Sequence, residues 1–156
     1  LPELLPEALA AARHIQDEYE RAQVLSALAE KLPELLPEAL AAARHIQDED
    51  DRAKVLSALA EKLPELLPEA LAAARHIQYE WNRAPVLSAL ANKLTQMPKT
   101  ELYPLWQDTL HALSLRTRRD LLLDIKELTP VIFYLGGQEA IKNTAIAIQE
   151  ISRWWP

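Results

Sequence analysis

Cysteine is absent from this chain of 156 residues, and glycine, phenylalanine and methionine are scarce, with two, one and one residues respectively. Without cysteine the chain can form neither a disulfide framework nor a thiolate metal site. The low glycine content and the aromatic content of 6% disfavour a β-sandwich or barrel rich in turns. Leucine, alanine and glutamate dominate instead, and they favour helices.

Long apolar runs are also missing from the chain. No segment approaches the roughly 18 apolar residues that cross a bilayer, and the N-terminus lacks the basic and then apolar segments of a signal peptide. We therefore expect a cytoplasmic protein. Because the chain begins at Leu1, within the repeat described below, rather than at Met, we expect a fragment of a longer protein or a processed chain.

Acidic residues outnumber basic ones, with 23 aspartates and glutamates against 17 lysines and arginines. The net charge of −6 is local, with −3 in each of the segments 1–31 and 32–62 and zero in 63–93 and 94–156. A chain without a basic stripe has little means of neutralising phosphates. The sequence therefore predicts neither nucleic acid nor an anionic membrane surface as a partner.

The chain contains an internal repeat, and a period of this length is typical of stacked repeat architectures. Residues 1–31, 32–62 and 63–93, called units 1, 2 and 3 below, share the pattern L-P-E-L-L-P-E-A-L-A-A-A-R-H-I-Q-x-E-x-x-R-A-x-V-L-S-A-L-A-x-K. Apolar residues recur at helical spacing before and after a break near Asp17, so each unit is predicted to be a helical hairpin. Pro6 suits the first turn of the first helix, and Asp17 with Glu20 resembles a capping box that opens the second helix.

Both helices of each unit have apolar faces wider than one hairpin can bury, so the surplus is expected to pack on the next unit. Residues 94–156 diverge from the pattern. Leu102-Tyr103-Pro104-Leu105 resembles the Leu-Leu-Pro-Glu start of a unit, and further helices are predicted over 119–128, 131–135 and 139–155, with a stop or turn at Gly136-Gly137. Trp154 and Trp155 are expected to cover the core as part of a lid.

The predicted fold class is therefore all-α. We expect a right-handed α-solenoid of stacked hairpins with a repeat of 31 residues over 1–93, continued and closed by a divergent C-terminal helical cap over 94–156.

The pattern I-Q-D-E-x-x-R-A-x-x-L-S-A-L-A, together with the ending Leu135-Gly-Gly and Arg153-Trp-Trp-Pro156, carries a family resemblance. It resembles the degenerate HEAT- and TPR-like solenoid repeats of bacterial and cyanobacterial signalling ATPases of the STAND or NACHT type. The resemblance implies a sensor or scaffold region whose nucleotide chemistry lies in another domain. The chain departs from that family in the near-identity of its first three units, which indicates recent duplication or deliberate repetition by a designer.

Variation between the units is concentrated at the turn between the helices and at the start of the second helix. The sequence therefore predicts a rim that contacts a protein or peptide, with aromatic side chains as anchors. Two alternatives are that exposed turn positions vary freely, or that Trp81 packs against the C-terminal region. The predicted partner-binding residues are Tyr19, Gln23, Asp50, Lys54, Tyr79, Trp81 and Asn82.

Pro85 leads to a structural prediction for unit 3. A helix that began where it begins in unit 1 would lose a hydrogen bond at Pro85, and Tyr79 replaces the capping aspartate. We therefore expect the second helix of unit 3 to start late, capped by Asn82, with Pro85 in its first turn.

Other candidate sites favour structural interpretations. His14, His45 and His76 recur once per unit, but a metal requires nitrogens about 2 Å from one ion, whereas packed helices lie roughly 10 Å apart. The acidic run Asp48–Asp51 is interpreted as a solvated helix start. Arg116, Arg118 and Arg119 form a small basic patch. Three interpretations are open: the arginines hold an acidic peptide, they are solvated, or they bridge to Asp120 and Asp124, and the last two are favoured.

No nucleophile stands in a recognisable catalytic motif, and no phosphate-binding loop occurs. The sequence thus predicts no catalytic, cofactor-binding or metal-binding residue. The leading hypothesis is a protein- or peptide-binding scaffold. The alternative is a self-assembling module, because unit 1 lacks a cap and its exposed apolar edge would allow a homo-oligomer to form by end-to-end stacking or hairpin exchange.

Overall fold

The computed structural model describes residues 4–154, and every regular element within that range is a helix. The all-α prediction is therefore confirmed for this part of the chain. None of its helices combines the length and apolarity that spanning a membrane requires. The α-helices are α1 (Leu5–His14), α2 (Glu18–Ala29), α3 (Leu36–His45), α4 (Glu49–Ala60), α5 (Leu67–His76), α6 (Glu80–Leu94), α7 (Lys99–Ser114), α8 (Arg118–Glu127) and α9 (Thr129–Trp154), and short 3-10 turns cover Pro33–Leu35 and Pro64–Leu66.

The predicted helix starts in units 1 and 2 are confirmed. Pro6 lies in the first turn of α1, where its missing N–H would have no helical partner. The carboxylate of Asp17 accepts a hydrogen bond from the backbone N–H of Glu20 at 2.8 Å. Asp48 caps α4 in the same way at 2.9 Å. Local sequence chemistry therefore determines where these helices begin.

One arginine in each unit closes the hairpin. Carbonyl groups at the end of a helix lack partners within it, and the arginine of the second helix reaches back to one of them. Each Nη1 donates to the carbonyl oxygen of the isoleucine that follows the first helix: Arg21 to Ile15 at 2.8 Å, Arg52 to Ile46 at 2.9 Å and Arg83 to Ile77 at 2.8 Å.

Successive units are in contact through their helices. α2 packs against α3 and α4, and α4 packs against α5 and α6. Alanines such as Ala22, Ala39 and Ala53 are fully buried at these contacts, and small side chains let helices approach closely. The guanidinium of Arg13 donates to both carboxylate oxygens of Glu38 at 2.7 Å. This ion pair is exposed, so it stabilises the junction only modestly while it favours one register.

The predicted start of the first C-terminal helix is wrong. α7 begins at Lys99, directly after Pro98, so Pro104 lies inside the helix rather than at its entry. Pro104 has no N–H to donate to the carbonyl oxygen of Thr100. Thr100 is exposed, so water can reach that carbonyl group, and the helix continues to Ser114.

The observed bounds of α8 are close to the predicted segment 119–128, and α9 covers the predicted segments 131–135 and 139–155 as far as Trp154. α8 begins at Arg118 with Thr117 as its cap. α9 is interrupted at Gly137, where φ is 65° and ψ is −159°, a conformation that glycine adopts readily. Before this break the hydroxyl of Tyr134 donates to the carbonyl oxygen of Met97 at 2.9 Å. The first part of α9 is thereby tied to the start of α7.

The predicted tryptophan lid is wrong for Trp154, whose side chain is 88% exposed. α9 still contacts α8 at Ser152, which accepts a hydrogen bond from Arg118, but Ile151 next to it is already 56% exposed. Trp155 lies outside the described residues.

Candidate partner-binding surface

The seven predicted partner-binding residues lie at or near the starts of α2, α4 and α6, and we call this set the rim. Contacts of α2 with α4 and of α4 with α6 place these helices side by side. The amide Nδ2 of Asn82 donates to the carboxylate of Asp50 in the preceding unit. Gln23 donates to the hydroxyl of Tyr19 within unit 1. The structure therefore brings the rim residues into one row, although partner contact itself remains a prediction.

Lys54 is the cation at the centre of the rim. Its ammonium group donates to the carboxylate of Asp51 at 3.1 Å, and this hydrogen bond is the main reason that the pKa of Lys54 is raised. Tyr19 and Asp50 raise the pKa of Lys54 further. Tyr19 belongs to unit 1, whereas Lys54, Asp50 and Asp51 belong to unit 2. The pKa of Lys54 therefore depends on residues from both sides of the junction between the units.

Two aromatic side chains mark the unit 3 end of the rim. The rings of Tyr79 and Trp81 are stacked, with centroids 4.6 Å apart and planes inclined by 16°. They remain 51% and 62% exposed. The alternative that Trp81 packs against the C-terminal region is therefore wrong. The two rings instead pack face to face, and the rest of each ring faces solvent.

A shallow groove of about 370 Å³ runs between α4 and α6 beside Trp81. Alanine and serine side chains contribute small surfaces to it, while Lys54 and Glu61 supply opposite charges. Such an arrangement can hold a small apolar side chain of a partner and fix polar groups on either side of it. The groove is lined by Lys54, Ser57, Ala58, Glu61, Trp81, Asn82, Pro85, Val86 and Ala89.

The prediction of a late start for the second helix of unit 3 is wrong. α6 begins at Glu80, and Tyr79 precedes it in an extended conformation without a capping side chain. Asn82 does not cap the helix because its amide is used on Asp50. Pro85 is consequently the sixth residue of α6, so the carbonyl oxygen of Trp81 has no N–H partner at that position.

Sequence analysis missed a buried polar cluster between unit 3 and the C-terminal region. Nε of Arg83 lies 2.9 Å from both carboxylate oxygens of Asp124, and both side chains are fully buried. Nη2 of Arg116 donates to the carbonyl oxygen of Arg75 at 2.8 Å, and its Nη1 donates to that of Gln78 at 3.0 Å. Arg116 therefore satisfies carbonyl groups at and just after the end of α5. The predicted bridges from Arg116 to Asp120 or Asp124 do not occur.

The electrostatics of this cluster follow from its burial. Burial raises the pKa of Asp124, and the hydrogen bonds from Arg83 counteract that shift. Burial also lowers the pKa of Arg116, and the charge of Arg83 lowers it further. The sequence does contain a signal for this cluster. Asp124 follows the helix cap Thr117 at the same distance at which Val24 follows the helix cap Asp17, so a charged residue replaces the valine of the repeat.

A second groove was also missed. It has a volume of about 520 Å³ and lies between α7, α8 and α9, with lining residues of α9 on both sides of Gly137. The apolar residues of α9 were visible in the sequence. Their position against α7 and α8 could be seen only in the structure, where α9 is interrupted at Gly137. Its lining is mostly apolar: Tyr103, Trp106, Leu110, Arg118, Leu121, Leu122, Ile125, Ile132, Leu135, Gly136, Ala140, Thr144, Ala147, Ile148 and Ile151.

The repeated histidines make local contacts. Nδ1 of His14 lies 2.7 Å from the carbonyl oxygen of Ala10, and His45 and His76 make the equivalent contacts. A carbonyl oxygen only accepts, so each Nδ1 is the donor. Over residues 4–154 there is no group of three or more histidine and acidic side chains arranged to hold a metal ion.

Comparison with protein-family models, with curated proteins and with solved structures gives no match.

Proposed function

We propose that the chain is a non-catalytic scaffold that binds a protein or peptide through the rim. In this proposal the hairpins stack as a right-handed α-solenoid, and residues 94–156 close it as a cap. The resemblance to STAND-type arrays supports a role as the sensor segment of a larger signalling protein in the cytoplasm. The observation that carries the proposal is the exposed stack of Tyr79 on Trp81 beside the groove.

The exposed aromatic pair supports binding for a physical reason. Tyrosine and tryptophan supply most of the energy at many protein interfaces because they bury large areas at a small cost in conformational entropy. Here the two rings hold each other in place while both remain exposed. Little ordering is then required when a partner covers them, so the surface is preorganised for binding.

Charge limits the chemistry of the partner. Glu61 and Lys54 line the groove. Asp51 accepts a hydrogen bond from Lys54, and Asp50 accepts one from Asn82. Units 1 and 2 are each acidic as well. The best-suited partner therefore presents an apolar side chain to the groove and a lysine or arginine next to it. Such a cation can stack on the face of Trp81.

The test is a selection of random peptides displayed on phage against the whole chain. We expect enrichment of peptides that combine an apolar anchor with lysine or arginine. For the best peptide, Trp81→Ala or Tyr79→Ala should weaken binding at least about tenfold, which is the range of an interface anchor.

Tyr103→Ala is the matched control, because Tyr103 is an equally exposed tyrosine, at 54%, on α7 beside the larger groove. It should leave the affinity unchanged. Failure to enrich any peptide would refute the proposal. A loss of binding in the Tyr103 variant alone would also refute it, since the peptide would then occupy the groove of the C-terminal region.

A further inference from the structure

One face of unit 1 is exposed where the same face of units 2 and 3 is buried. Leu4 is 56% exposed, whereas Leu35 and Leu66, at the same position in the next units, are 6% and 5% exposed. The residue types are identical, so the difference comes from what lies next to them. In units 2 and 3 the helices of the preceding unit pack against this face.

The difference extends over both helices of unit 1. Val24 on α2 is 37% exposed, against 4% for Val55 and 6% for Val86. Ala8 on α1 is exposed, whereas Ala39 is fully buried. We call this surface the N-terminal face; it comprises Leu4, Ala8, Ile15, Val24 and Leu28, all of which are less buried than their counterparts in unit 2.

Charged side chains at the edge of the N-terminal face indicate what fits there. Glu38 accepts two hydrogen bonds from Arg13 of the preceding unit, and Glu69 accepts two from Arg44. Glu7 occupies the same position in unit 1 and is exposed. A partner that reproduces the observed junctions would place an arginine opposite Glu7.

A second ion pair crosses the junction of units 1 and 2. Nζ of Lys62 lies 3.9 Å from the carboxylate of Glu30, and Lys31 occupies the position of Lys62 within unit 1. A fitting partner would therefore also carry a glutamate near Lys31. The repeat itself has both required residues at the matching positions, Arg13 and Glu30.

An intact second copy does not supply the required surface. The face that would pair with unit 1 is the one presented by α5 and α6 of unit 3, and α7 and α8 already pack there. The buried pair of Arg83 and Asp124 holds that contact. End-to-end stacking of two intact chains would first require the C-terminal helices to leave unit 3.

We propose that the N-terminal face of unit 1 docks one more hairpin of the same sequence, joined ahead of Leu1 in the same polypeptide. The connection is available in the sequence. The observed junctions run through Leu32-Pro33 and Leu63-Pro64, and Leu1-Pro2 repeats those letters. This docking surface is separate from the rim, because none of the residues that define the N-terminal face belongs to the rim.

The experiment fuses a further copy of residues 1–31 ahead of Leu1 of the whole chain. Because the chain contains no cysteine, Val24→Cys introduces a unique thiol on the N-terminal face. We expect a thiol reagent to label the V24C thiol at least about tenfold more slowly in the extended chain than in the original chain, since labelling would then require local opening.

Two matched variants calibrate the measurement. Ala27→Cys lies at a position that is exposed in all three units, so its thiol should react rapidly in both chains. Val55→Cys lies where the side chain is 4% exposed, so its thiol should react slowly in both chains. If the V24C thiol reacts at the same rate with and without the added hairpin, the proposal is overturned, even if circular dichroism shows that the added residues are helical.

A charge exchange tests whether the added hairpin uses the observed junction. In the added copy, the arginine that corresponds to Arg13 is changed to glutamate, so that it faces Glu7. This change should speed labelling of the V24C thiol roughly two- to fivefold, the range of an exposed ion pair. Glu7→Arg in the same chain should restore the slow rate. Protection that ignores both changes would show a different docking mode and overturn the proposal.

Discussion

Arg83 and Asp124 form a fully buried ion pair in which Nε of the arginine lies 2.9 Å from both carboxylate oxygens. The two residues are 41 positions apart in the chain. Asp124 stands on α8 and Arg83 on α6, so the pair joins unit 3 to the C-terminal region. Arg21 and Arg52 make the same hydrogen bond inside their hairpins, but the position that corresponds to Asp124 is a valine in units 2 and 3, Val55 and Val86.

Removing Asp124 should strongly destabilise the fold. Asp124→Ala would leave the guanidinium of Arg83 buried without its counterion, which typically costs about 3–5 kcal/mol. Replacing both residues, as in Arg83→Met with Asp124→Leu, should cost less than the single change, because no charge is then left unpaired. Guanidinium unfolding measures both, and Asp108→Ala, at an exposed position on α7, is the control. A change within about 0.5 kcal/mol for Asp124→Ala would contradict the prediction.

Pro85→Gln should stabilise the protein. The glutamine supplies the N–H that the carbonyl oxygen of Trp81 lacks inside α6, and we expect a gain of about 1–3 kcal/mol. Unit 1 offers the reverse experiment, since Gln23 stands at the same position of its unit. Gln23→Pro should lower the free energy of unfolding by a similar amount. If Pro85→Gln destabilises the chain instead, the packing of the proline ring outweighs the recovered hydrogen bond.

The ion pair of Arg13 and Glu38 should be visible in a pH titration. The hydrogen bonds from Arg13 lower the pKa of Glu38, and Arg44 lowers that of Glu69 in the same way. A folded-state pKa below the unfolded value means that the pair stabilises the fold above the unfolded pKa, and that this contribution is lost as the pH falls through the folded pKa. Arg13→Gln should therefore raise the pKa of Glu38 without affecting Glu69, as read from carboxyl ¹³C shifts. Equal movement of both carboxyl groups would argue against separate junctions.

Gly137→Ala should destabilise the chain by about 1 kcal/mol, because alanine is strained at a φ of 65°. Alanine in place of glycine normally stabilises a helix, so the sign of the change tests the break directly. Gly137→Asn should cost a similar amount, because a ψ of −159° lies outside the left-handed helical region that asparagine tolerates. A stabilising Gly137→Ala variant would mean that the helix runs through without a break in solution.

Much of the fold could be predicted because its signals are local. Pro6 and Asp17 act within their own turn of chain, and Gly137 breaks α9 at its own position, so each could be recognised from neighbouring letters. The all-α class follows from many such signals together.

The errors have a common physical cause in contacts between distant segments. Asn82 could not be recognised as a partner of Asp50 from its own helix, and without that contact it resembled a cap. The pairing of Arg83 with Asp124 was hidden for the same reason, because the arginine is identical in every unit. Only the replacement of a valine by Asp124 distinguishes the last junction. The rim residues could be singled out because they vary between copies of the repeat, but their role in binding stays a prediction, and the stack of Tyr79 on Trp81 could be seen only in the structure.

The hydrogen bond from the repeated arginine to the isoleucine carbonyl also bears on how such a chain can change in length. Arg21, Arg52 and Arg83 are held in equivalent positions by this hydrogen bond. The carboxylate of Asp124 would therefore find an equivalent arginine on any unit that stood last before the C-terminal region. Copying or deleting a whole unit of the gene would therefore leave the closing charge pair intact. The number of hairpins before the C-terminal region could therefore vary while this closing charge pair is kept.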